Sequence, residues 1–155
     1  MRNAMTAVTT IPKRLILTAC LLLLSAMQPA HADVERYNGV LRGKNLTPPV
    51  ESNGRGSVQL AVVGDQLSWV VSFYELQGPP VAVHINGPAG PGENAPLLLD
   101  LGKDWGDMGR NNIMTGIILL SKDQLASLAS GKWYLVVCTQ SHPEGELRAQ
   151  LERFN

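Results

Sequence analysis

Three residues of this chain combine reactive chemistry with suggestive spacing: His84, Cys138 and His142. Only Thr139-Gln140-Ser141 separates Cys138 from His142, so a thiolate and an imidazole could meet one ion across the end of a strand. His84, far upstream, would bring a second imidazole from another strand. Thiolate plus two imidazoles suits copper, with zinc as the competitor. A fourth donor is on offer from Glu144 or Glu146 just downstream, or from Met108 in a loop. The competing reading of Cys138 is packing, because a lone cysteine closing an apolar strand commonly behaves as a small buried hydrophobe. An exported free thiol is prone to oxidation, and either burial or metal capture would protect it.

Export is expected from the first residues. Arg2, Lys13 and Arg14 stand without an acid ahead of the apolar run 15–27, and Gln28-Pro29 breaks that run before Ala30-His31-Ala32. That is a signal peptide over residues 1–32 with cleavage before Asp33. The apolar stretch falls short of the roughly 20 residues that span a bilayer as a helix. Leu17-Thr18-Ala19-Cys20 resembles a lipobox, but a lipidated cysteine should close the apolar run and Leu21 to Leu24 follow this one. The full chain has thirteen basic and thirteen acidic residues; losing the three leader bases leaves ten basic against thirteen acidic. A weakly acidic surface argues against nucleic acid or an anionic membrane as the partner. Cleavage also removes Cys20, so the mature chain, long enough for one domain, has no internal disulfide available.

The elements that must position these residues are strands. Apolar residues come in short runs punctuated by glycine and proline, which predicts an all-β, antiparallel two-sheet sandwich with strands at 35–41, 56–63, 66–74, 81–85, 95–101, 114–120, 133–139 and 146–154. Gly64-Asp65 reads as a tight hairpin turn. Ser121-Lys122-Asp123-Gln124 is a capping box that opens one short helix, which Gly131 is placed to end. Two loops are long enough to carry function: the prolyl loop 86–93, and 102–112 with Trp105. Glu146 and Arg148, two apart on a strand, are expected to share a face as an exposed ion pair or a link to a neighbouring strand.

Read in order, Gly39-Val40-Leu41-Arg42-Gly43, Thr47-Pro48-Pro49-Val50, Val83-His84-Ile85-Asn86-Gly87-Pro88-Ala89, Trp133 to Thr139 and His142-Pro143-Glu144-Gly145-Glu146-Leu147-Arg148 resemble the CHRD (chordin-type) domain family over nearly the whole mature chain. The resemblance implies an antiparallel β-sandwich of immunoglobulin-like or superoxide-dismutase-like appearance in exported proteins, and little about chemistry. Family members commonly show His-Ile-His where this chain has His84-Ile85-Asn86, and Val-His-Thr where it has Val137-Cys138-Thr139. The carry-over is therefore limited to His84 and His142, with Cys138 as a chemically different substitute. The order of ligands is similar to that of cupredoxins, although a glutamate stands where their axial methionine would follow.

Three functions compete on these residues. Hydrolysis by a Ser-His-Asp set or a Cys-His pair such as Cys138 with His142 would need a base oriented by a third group, and two mature histidines leave few candidates; a copper-zinc dismutase site needs more histidines than the mature chain holds. A copper-binding or electron-transfer protein built on His84, Cys138 and His142 is the sharper expectation. The other is a non-catalytic module that binds a protein or a glycan through the two long loops, with Cys138 as packing.

Overall fold

Strict alternation along two neighbouring segments starts the fold. In β2 (Arg55–Val63) the side chains of Val58, Leu60 and Val62 turn inward, and in β3 (Gln66–Tyr74) those of Leu67, Trp69, Val71 and Phe73 do the same. The two pair antiparallel in an unbroken register from Arg55↔Tyr74 to Val63↔Gln66. Gly64, at φ 64°, begins the two-residue turn between them, and Asp65 keeps a negative φ. Glycine in the first central position is the requirement of a type II′ hairpin.

The computed structural model describes residues 33–102 and 112–154. The leader reading over 1–32, Cys20, and Trp105 and Met108 in the second long loop lie outside the described residues. The remaining strands are β1 (Val34–Arg42), β4 (Pro80–Asn86), β5 (Leu97–Asp100), β6 (Ile113–Leu119), β7 (Tyr134–Thr139), β8 (Leu147–Gln150) and β9 (Glu152–Phe154). A 3₁₀ turn, Gly43–Asn45, follows β1.

The all-β expectation holds, and the layers are joined in a particular way. Pairing runs continuously in the order β5-β4-β7-β8-β1-β2-β3-β6, with β9 on β1, so one antiparallel sheet curls into a half-barrel. Its two arms are joined between β1 and β8 by the single pair Arg42↔Arg148, and between β1 and β9 by the pairs from Arg36↔Phe154 to Asn38↔Glu152. The expected strand 146–154 is thus split. Leu151, fully buried, gives its N–H to the Trp133 carbonyl at 2.9 Å, and the chain passes there from one arm to the other. Tyr37, Val58, Leu67 and Phe73 from one arm meet Val83, Ile85, Leu135 and Leu147 from the other in the main core.

The helix α1 (Lys122–Ala129) follows its signals. Ser121 Oγ accepts from the Gln124 amide at 3.2 Å and Gln124 Oε1 accepts from the Ser121 amide at 2.9 Å. Gly131, at φ 72°, gives its N–H to the Leu128 carbonyl and ends the helix. Leu128 is buried in the main core, and Ser127 Oγ accepts from the Trp133 indole at 2.8 Å, which ties α1 to the strand that follows.

Candidate functional site

The site begins with β7, buried at all six positions. Its inward residues, among them Leu135 and Val137, enter the main core. Tyr134, Val136 and Cys138 face the other way, into a second apolar cluster with Ala82, Ala89 and the partly buried Leu46 and Ala95. A strap formed by the prolyl loop covers that outer face. Cys138 is opposite Ala82 in register and 3 % exposed. Burial, with Glu144 adding to it, pushes the thiol pKa from 9.0 up to about 11.

The predicted metal donors do not converge on this thiol. His84 is opposite Val136, so it shares the outer face with Cys138 on a diagonal. His142 is drawn elsewhere: its Nε2 is 2.5 Å from Gln77 Oε1, and its backbone closes a turn with Thr139. Glu146 is fully buried and committed, with Oε1 accepting from Ser52 Oγ at 2.6 Å and the Gln77 amide at 2.9 Å, and Oε2 accepting from Thr139 Oγ1 at 2.8 Å. Glu144 is exposed. Among the described residues no group of three His, Cys, Asp or Glu side chains could hold an ion. The structure thus does not gather His84, Cys138 and His142 into one donor set: His142 is bonded to Gln77, and the thiol is packed with alanine, valine and tyrosine.

Of the two arrangements expected for Glu146 and Arg148, the exposed ion pair does not form; each side chain is linked to the neighbouring β7, Glu146 through Thr139 and Arg148 through Tyr134. Both are buried, and neither pairs with the other. Arg148 Nη1 donates to the Glu93 carbonyl at 2.7 Å and Nη2 to the Gly90 carbonyl at 2.9 Å, while its guanidinium stacks 3.6 Å from the centre of the Tyr134 ring. Burial lowers its pKa, against the opposing influence of Tyr134 and Glu93. Gln150 Nε2 donates to the Ala89 carbonyl, Tyr134 Oη accepts from the Ala95 amide, and Asn94 Nδ2 reaches the Thr47 carbonyl. Arg148 is thus the knot of the strap, a planar fork matched to backbone carbonyls. Asn45, whose Nδ2 donates to the Val40 and Arg148 carbonyls, fixes the 3₁₀ turn to the same strand.

Where the strap ends, a groove of about 640 Å³ opens along β1, the turn after it and β8–β9. Arg148 and Gln150 form part of its lining; Asn38, Lys44 and Glu152 add polar side chains, and Val40, Leu46, Pro49 and Pro91 add apolar ones. Sequence reasoning pointed to the prolyl loop, which does contribute Pro91 and Gly92, but missed the groove. The quoted family stretches already contained the signal, since Val40, Pro49 and Arg148 all fall in them.

No curated protein and no solved structure matches the chain. The family model described as the CHRD domain matches residues 37–151, which begin in β1 beside the groove and end at the buried Leu151 between the two arms. The strap, the buried Glu146 and Arg148 and every strand from β2 to β8 lie within that match, and the chain belongs to the CHRD domain family.

Proposed function

We propose that this protein is an exported, non-catalytic recognition domain that holds a glycan segment in the groove braced by Arg148. The groove carries the reading: about 640 Å³ of space, in the range of small-molecule sites, with an apolar stripe beside amides and two side chains of opposite charge, Lys44 and Glu152. Sugars present that mixture, with C–H faces for Val40 and Pro91 and hydroxyls that donate and accept. Export is supported by the leader pattern at 1–32. Copper and zinc form no part of the proposal, because no group of three donor side chains gathers among the described residues.

Titration calorimetry with neutral, uronic-acid and amino-sugar oligosaccharides tests it. Neutral oligosaccharides are expected to bind best, and Asn38→Ala or Lys44→Ala to weaken them about tenfold, the worth of one hydrogen bond. Binding by none of the three classes, or unchanged affinity in both variants, would overturn the proposal.

A further inference from the structure

β6 ends the pairing order, with one hydrogen-bonded neighbour, β3, among the described residues. Its outward side chains are Ile113, Thr115, Ile117 and Leu119, and the three apolar ones are 48 %, 64 % and 66 % exposed. The register carries this surface inward across β3 and β2 in four rows: Ile113–Ser72–Ser57, Thr115–Val70–Gln59, Ile117–Ser68–Ala61 and Leu119–Gln66–Val63. None of these twelve side chains is charged. Soluble proteins ordinarily guard such an edge with lysine, proline, a bulge or a very short strand. β6 has seven residues and neither lysine nor proline, and its register on β3 is unbroken.

The strand is also complementary to itself. Turned about a two-fold axis through Gly116, β6 pairs all seven of its residues with those of a second copy. Ile113 then faces Leu119 and Thr115 faces Ile117 on the outer surface, while Met114 faces Ile118 on the core side. Every outer pair thus includes an apolar side chain, outer residues stay opposite outer residues, and no like charges meet. A partner of another kind would have to be recognised by charge or shape, and these rows carry no charge to recognise. The two-fold arrangement is also closed, using the same patch on both copies. The geometry points to a homodimer in which β6 of each copy pairs antiparallel about Gly116, joining two curled sheets into one.

The test uses the full-length protein, purified as it accumulates on expression. Light scattering over a dilution series is expected to give twice the chain mass at high concentration, falling to one chain on dilution. Hydrogen exchange should find alternate β6 amides, those turned away from β3, protected at high concentration and open on dilution. Ile117→Lys, at an exposed position, is expected to give one chain mass at every concentration. Thr115→Glu combined with Ile117→Lys should restore the dimer, because this register sets each glutamate opposite the other copy's lysine. A parent with one chain mass and open outer amides at every concentration overturns the inference. So does a dimer that survives Ile117→Lys, or a double variant that stays at one chain mass.

Discussion

At the residue scale, Cys138 shows how a side chain with reactive chemistry becomes structure. Sequence left open whether it packs or ligates, because both outcomes follow from an apolar strand end with a histidine nearby. The structure buries it on the outer face of β7, among Ala82, Ala89 and Val136. The thiol and the Tyr37 phenol are both weak acids whose neutral form the fold prefers. Burial is the first cause in each case, and Glu35, which accepts from Tyr37 Oη at 2.7 Å, is the next for the phenol. The stability that they contribute is complete below their ordinary pKa values. It is lost as pH rises from 9.0 through about 11 for Cys138 and from 10.0 through about 12 for Tyr37. Urea unfolding should therefore show stability falling between pH 9 and 12. Cys138→Ala should delay the onset by about one unit, the gap between the ordinary values of 9.0 and 10.0. An unchanged onset in the variant would show that the thiol stays out of the titration.

At the element scale, what the chain announces locally is what it forms. β2 and β3 alternate cleanly, Gly64 turns between them, and Ser121 with Gln124 caps α1, since each depends on neighbours within a few positions. The burial of both faces of β7 was not readable that way, because its cover is a strap from residues 87–95 tied down by an arginine more than fifty positions later. Glu146 and Arg148 looked like a surface pair for the same reason: a two-residue spacing predicts a shared face but says nothing of what lies over it. β6 offers a test of packing within an element. A Cβ at Gly116 would stand 2.1 Å from the Trp69 ring, so the glycine makes room for an indole of the core. Gly116→Ala is expected to lower stability by about 1–3 kcal/mol as the overpacked ring shifts, measured by chemical denaturation. A stability equal to the parent's would mean that the ring moves freely.

At the scale of the whole molecule, two arms share one core but few strand pairs. Arg42↔Arg148 and the three β1–β9 pairs are the junction. Truncation after Leu151 removes β9 and leaves the single Arg42↔Arg148 pair. Hydrogen exchange in the truncated protein is expected to open β4, β5 and β7 before β2 and β3, whose nine-residue register is untouched. Simultaneous loss of protection in both groups would show that the core alone keeps the arms cooperative.

The passage of the chain at Leu151 also has a consequence in time. Asn45 reaches Arg148 across 103 positions, and β1 waits for β8 and β9 across a similar span. The β2–β3 hairpin can form as soon as its own eighteen paired residues and the turn are available, whereas the curl closes only when the segment from 147 to 154 arrives. Loop closure over such a span is slow compared with hairpin formation. A chain built this way has an interval in which its first strands are ready and its last are still on their way.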